Sequence, residues 1–257
     1  MGDTVEITDD GAVRTIALNR PHRLNAINDA LMVDLNAALA AAQADPAVAV
    51  IVLTGKGRAF CAGDDLVEQQ EQDTSDLHAL RDFLERLQDV TRNIMLGETP
   101  VVAAVAGWAV GGAFSWPMNC DLSVWEKGAR GFFPELAHGL FVSGGMTFLL
   151  PHWAGGPAAN GIVYSGDRYD AETLHAMGLV SRVAEPGQGL ETAKGLAARI
   201  AGYPAAARAA MKRTIVGGFR AALEDALGRE VDALMEVMLA GDWRERTARN
   251  FAPAKKD

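Results

Sequence analysis

Hydrophobic and polar positions along the chain follow two alternating rhythms. Val5 and Ile7, then Val13, Ile16 and Leu18, flank Asp9-Asp10-Gly11, the spacing of a β-hairpin over residues 4–19 with an Asp-Gly turn. Leu31, Leu35, Leu39 and Ala42 then recur at helical spacing behind Asn28 and Asp29, which read as a cap and first turn, and Asp45-Pro46 stops that helix. Residues 48–53 and 101–105 are unbroken apolar runs, as expected of strands buried on both faces. Between them Leu77, Leu80, Leu84, Leu87, Val90 and Ile94 predict another helix. Shorter strands are expected at 121–125 and 178–183. Helices are expected at 190–201, 204–217 and 219–240, the last carried by Phe219, Leu223, Leu227, Val231, Leu234 and Met238. Strand alternating with helix in the first half predicts an α/β fold with crossover connections and a mainly parallel sheet.

Two stretches share one grammar of apolar residues, small-residue turn and helix start. They are Ala59-Phe60-Cys61-Ala62-Gly63-Asp64-Asp65-Leu66 and Gly107-Trp108-Ala109-Val110-Gly111-Gly112-Ala113-Phe114-Ser115. A turn of that kind aims free backbone N–H groups at a negative oxygen. Two such groups converging on one oxygen stabilise an oxyanion or enolate. Spacing along the chain does not establish convergence, and glycines that only let a helix pack on a strand satisfy the same pattern. Adjacent parallel strands would bring both turns to the carboxyl edge of the sheet. Asp65 is expected to cap the following helix.

Composition narrows the classes of function. The chain has 257 residues, 49% apolar and 22% charged, with a formal net charge of -9. That charge argues against nucleic acid as a partner. No apolar run approaches the roughly 20 residues of a membrane span. The acidic N-terminus lacks the basic and apolar regions of a signal peptide, so a cytoplasmic setting is expected. Two cysteines, Cys61 and Cys120, are too few for a disulfide framework or a zinc site. Glu135 and His138 stand at metal-ligand spacing, but no second pair accompanies them, and no metal is expected.

Taken together, Asn19-Arg20-Pro21, Leu24-Asn25-Ala26, the two glycine turns, Cys120-Asp121, Pro134-Glu135, Ser165-Gly166-Asp167-Arg168 and Ala176-Met177-Gly178-Leu179-Val180 make the chain resemble the crotonase (enoyl-CoA hydratase/isomerase) superfamily, in order and over nearly its whole length. The resemblance implies a crotonase-like spiral of ββα units over residues 1–190 and a helical C-terminal trimerisation region over 191–257. It implies a homotrimer or dimer of trimers. It implies an acyl-CoA substrate, with coenzyme A entering as part of the substrate and no separate cofactor. Carried over by motif, the oxyanion-hole N–H groups belong to Asp64 and Gly112, and Glu135 is the acid/base. Arg23, Cys61, Ala62, Asp64 and Leu66, with Phe251 and Lys255 of the tail, match positions that meet coenzyme A.

The chain departs from the family's two-glutamate pattern at Ser115. Hydration of a 2-enoyl thioester activates water at C3 and delivers a proton at C2, work that two carboxylates share. One carboxylate suits a proton shuttle from C2 to C4 of a 3-enoyl thioester. Double-bond isomerisation is therefore favoured over hydration of an aliphatic or aryl 2-enoyl-CoA, hydratase-lyase chemistry included. Ser115 itself is open to a water-positioning role or to simple packing. A catalytically idle coenzyme A-binding relative is the reading from another class.

Overall fold

Residues on a strand point alternately to opposite faces, so an unbroken apolar run needs a covering layer on each side. The computed structural model, which describes residues 2–71 and 75–249, supplies both layers. The chain runs β1 (Val5–Asp10), β2 (Val13–Leu18), α1 (Asp29–Ala44), β3 (Val50–Gly55), α2 (Leu66–Gln70), α3 (Leu77–Met95), β4 (Val101–Val105), β5 (Trp108–Val110), α4 (Gly112–Asn119), β6 (Leu122–Glu126) and β7 (Arg130–Phe132). It continues through α5 (Glu135–His138), α6 (Met146–Ala154), α7 (Gly156–Ser165), β8 (Tyr169–Asp170), α8 (Ala171–Ala176), β9 (Arg182–Ala184), α9 (Gly189–Ala201), α10 (Ala205–Gly217), α11 (Arg220–Ala240) and α12 (Asp242–Arg249).

The main sheet has the order β1-β2-β3-β4-β6-β9. The β1–β2 hairpin is antiparallel and every later pairing is parallel. Ile51, Leu53, Val101, Ala103 and Val105 belong to the larger core with α1, α3 and α4. Their neighbours Val50, Val52, Val102 and Ala104 pack instead on Ala193, Leu196 and Ala197 of α9. Helix starts follow the capping residues. The Asn28 side chain accepts from the Leu31 N–H, and that of Asp76 accepts from the N–H groups of His78 and Ala79. The α/β class with a mainly parallel sheet stands as the sequence predicts, and α9, α10 and α11 fall within a residue of their expected bounds, with α12 beyond them unforeseen.

Two local expectations change. Residues 178–181 do not extend a strand, because they close α8. The Gly178 and Leu179 N–H groups donate to the carbonyls of His175 and Leu174, and β9 begins only at Arg182. The second glycine stretch is also not a single turn between strand and helix. β5 intervenes and joins β7 and β8 in a small separate sheet. A three-residue strand is too short to leave a periodic signal.

Candidate active site

The site is assembled around one buried side chain, Asn25. Its backbone is left-handed (φ 58°), a conformation asparagine tolerates. Its amide donates to the carbonyls of Lys56, Ala59 and Phe60 at 2.9, 2.9 and 3.1 Å, and its Oδ1 accepts from the Arg20 N–H at 2.9 Å. The Cys61 thiol donates to the Asn25 carbonyl. Residues 61–65 are then zipped to 24–27. Ala62 N–H donates to Leu24 O, Ile27 N–H to Gly63 O and Asp65 N–H to Ile27 O, at 3.0, 2.8 and 2.7 Å.

The other side of the same segment is bonded to β5. Cys61 N–H donates to Trp108 O (2.9 Å) and Val110 N–H to Cys61 O (3.1 Å). These bonds draw the two glycine turns together, which the sequence alone did not establish. The approach is close enough to require glycine. A Cβ on Gly63, at φ +83°, would sit 3.0 Å from Val110 O.

The N–H groups of Asp64 and Gly112 take no part in this zipper. Neither donates to another described backbone group, and Gly112 is the first residue of α4, where helix geometry offers no partner. Asp64, Gly112 and Glu135 line one cavity of about 20 Å³, room for a single water-sized group. Its remaining wall includes Phe83, Leu84 and Leu87 of α3, Phe141, Ser143 and Met238.

Glu135 opens α5 directly after Pro134 and is only 8% exposed. Its Oε1 lies 2.9 Å from where a Cβ on Gly111 would stand, so the carboxyl rests against the second glycine turn. Its Oε2 is fully enclosed with no hydrogen-bond partner among the described residues. Burial pushes this carboxyl up to about 8, the nearby Asp64 charge adds to the rise, and its own backbone N–H opposes it. Asp64 is half-buried, and its carboxyl is raised to about 6 by burial. No hydrogen bond or ion pair reaches the Asp64 carboxylate from a described residue.

Ser115 is brought near the turn but turned away from the cavity. It is fully buried, and its hydroxyl donates to Gly112 O at 2.6 Å, one turn back in α4. It packs on Gly144 so closely that a Cβ there would be 2.2 Å from its Oγ. Ser143, by contrast, stands in the cavity wall, with its Oγ 3.3 Å from where a Gly112 Cβ would be. Ser143 sits in a loop with no periodic pattern or motif to announce it in the sequence.

The loop carrying Ser143 is pinned by two buried polar side chains that the sequence reading also passed over. Gly144 N–H donates to Gln88 Oε1 at 2.8 Å, and Gly145 N–H to Glu230 Oε2 at 2.8 Å. Thr147 donates to Glu230 Oε1 through both its N–H (2.9 Å) and its hydroxyl (2.8 Å). Gln88 and Glu230 interrupt otherwise apolar stripes, and a buried polar residue inside such a stripe was the available signal.

Outside the cavity lies a cleft of about 400 Å³ that shares Asp64, Gln69 and Phe83 with it. Asp65 stands at the N-cap of α2 but accepts no capping hydrogen bond. Its carboxylate pairs instead with Arg20 at 3.2 Å. Arg23 is exposed in the one-turn helix Pro21–Arg23, beside the Leu24–Ala62 hydrogen bond, and Leu66 opens α2. The Cys61 N–H and carbonyl are both engaged by β5 and its side chain is fully buried. Phe251 and Lys255 lie outside the described residues.

The architecture and sequence match known proteins. A family model described as enoyl-CoA hydratase/isomerase matches residues 8–252. A probable enoyl-CoA hydratase of Rhizobium meliloti is 34% identical over 99% of this chain and 97% of its own length. A short-chain-enoyl-CoA hydratase of Clostridium acetobutylicum is 30% identical over 95% of this chain and 92% of its own. The crystal structure of an enoyl-CoA hydratase/isomerase from Mycobacterium paratuberculosis superposes with a TM-score of 0.90 at 28% identity, covering 97% of this chain and 99% of that one. The chain therefore belongs to the enoyl-CoA hydratase/isomerase family, within the crotonase superfamily, and is an enzyme of that type.

Proposed function

We propose that the chain hydrates a 2-enoyl-CoA, with Glu135 as proton donor and the Asp64 and Gly112 N–H groups holding the thioester oxygen. The observation that carries this reading is the placement of the Glu135 carboxyl against the Gly111–Gly112 turn, inside the cavity that both N–H groups line. Water bonds to C3, and the C2=C3 electron pair moves toward the thioester oxygen. The two N–H groups then hold the enolate. The proton that burial keeps on Glu135 goes to C2.

Relatives named as hydratases support hydration over the isomerisation favoured from the sequence. Isomerisation is retained as a second reading because Ser115 offers no carboxylate. In that case Glu135 carries the proton from C2 to C4. Arg23 and the 62–66 turn are the proposed contacts for coenzyme A. The expected trimeric assembly is supported by a groove of about 700 Å³ under α10, on which Met211 is 64% and Ile215 60% exposed. Light scattering tests the assembly.

Parallel assays of 2-enoyl- and 3-enoyl-CoA with wild type and Glu135→Gln test the reaction. Hydration should exceed isomerisation in the wild type, and both should fall ~100- to 10,000-fold in the variant. Full activity in Glu135→Gln removes Glu135 from the mechanism. Wild-type turnover of neither thioester leaves a coenzyme A-binding protein without catalysis.

A further inference from the structure

Hydration through Glu135 leaves one proton unassigned, the one that water releases as its oxygen bonds to C3. Ser115 does not accept it at the position where a second glutamate would stand, because its hydroxyl is turned onto Gly112 O and wedged against Gly144. We propose that the Asp64 side chain is the missing base, so that one residue serves the reaction twice, through its backbone N–H and through its carboxylate. The inference rests on the enoyl-CoA reading above.

Position is the first support. Asp64 stands where the outer cleft meets the inner cavity and lines both, so water entering from the cleft passes it. C3 is two bonds from the carbonyl carbon whose oxygen the Asp64 N–H would hold. The Asp64 carboxylate is thus carried by the residue that would set the position of C3.

Availability is the second support. Asp65 is committed to Arg20 and Asp29 to Arg86, while Glu68 and Glu71 line only the outer cleft and not the inner cavity. Asp64 receives nothing from the described residues. Lining the same cavity is Glu135, more than nine-tenths buried, with an Oε2 that also has no partner among the described residues. Structural carboxylates are normally given donors when they are buried. The enclosed Glu135 Oε2 and the half-buried Asp64 carboxylate, neither bonded by another described residue and both beside N–H groups outside the backbone zipper, are set up for a ligand that brings its own donors.

The two carboxyls also differ in the direction hydration requires. Asp64 titrates near 6 and Glu135 near 8, so at neutral pH Asp64 is mostly ionised and Glu135 mostly protonated. The other charged groups lining the cleft around Asp64 are Glu68, Glu71, the Asp65–Arg20 pair and the Asp29–Arg86 pair. The step balances as follows. An O–H bond of water breaks and its proton goes to an Asp64 oxygen while the O–C3 bond forms. The C2=C3 pair passes to the thioester oxygen. That pair returns to make the C2–H bond with the Glu135 proton. One water has been added, Asp64 is left protonated and Glu135 ionised, and return of a proton from Asp64 to Glu135 resets the site.

Asp64→Asn and Asp64→Ala test this, since both keep the backbone N–H and lose only the base. Hydration kcat should fall ~100-fold or more, with KM changed less than about threefold if only the proton acceptor is lost. Isomerisation of a 3-enoyl-CoA, which needs Glu135 alone, should fall much less. The acid limb of the kcat/KM profile near 6 should vanish, and the alkaline limb near 8 should move down as Glu135 loses its charged neighbour. Hydration within about threefold of wild type in both variants, or an acid limb that persists, overturns the proposal. If Glu135→Gln abolishes hydration while the Asp64 variants keep it, only the Asp64 assignment fails. If Glu135→Gln stays active, the underlying reading fails as well. Circular dichroism of each variant separates lost chemistry from lost fold.

Discussion

Glu135→Gln should make the protein more stable, and the gain should grow with pH. Folding lifts this carboxyl from 4.5 to about 8, chiefly by burial. Between those values the unfolded chain has released the proton and the folded chain has kept it. The unfolded state therefore binds fewer protons, and raising the pH through this window draws the equilibrium toward unfolding. At about 1.4 kcal/mol per decade of proton affinity, the cost is under ~1 kcal/mol near pH 5 and reaches ~4 kcal/mol near pH 8. Glutamine keeps the shape and has no proton to lose. Urea unfolding of both proteins at fixed protein concentration, near pH 5 and near pH 8, measures the difference. The variant's advantage should widen by about 3 kcal/mol between the two conditions. An advantage that stays constant would show that the folded carboxyl ionises as freely as the unfolded one. The enclosed, partnerless Oε2 would then be the wrong picture of the site.

Three further substitutions probe the scaffold. Gly111→Ala places a Cβ 2.9 Å from Glu135 Oε1 at a φ of +60°, so it should cost about 1–2 kcal/mol in thermal unfolding and lower kcat by displacing the carboxyl. Asn25→Gly accommodates the φ of 58° but leaves the carbonyls of Lys56, Ala59 and Phe60 without their shared donor, for a loss of about 2–4 kcal/mol in urea unfolding and weaker turnover. Lys212→Met removes a buried ammonium that donates to the carbonyls of Ile94 and Thr99 and to Asp121. It should cost about 3 kcal/mol, the low end for a broken buried pair, because Asp121 keeps 30% of its side chain in water.

The legible part of the fold is the part written by two-sided burial and by caps. The runs at β3 and β4 are unbroken because α9 covers one face and α1, α3 and α4 the other. Asn28 and the Asp-Gly hairpin turn announce themselves locally. The meeting of the two glycine turns was not legible, since it depends on Cys61 bonding to Trp108 and Val110 across a long stretch of chain. Nor was Asp65: its place before a helix suggests a cap, and only the fold brings Arg20 close enough to claim the carboxylate. Glu135 was visible through its motif, and its burial was not. Asp64 was singled out for its backbone, so that its side chain went unweighed.

The packing of Ser115 on Gly144 constrains how this protein could be re-engineered. Ser115 has no free space above it, and Gln88 and Glu230 hold the segment it presses against. A larger residue at 115 must push that segment outward, carrying Ser143 with it and widening the cavity. A lone Ser115→Glu graft would therefore register as a folding defect before it could register as a gain of chemistry. A carboxylate at 115 would have to be introduced together with changes in residues 143–145.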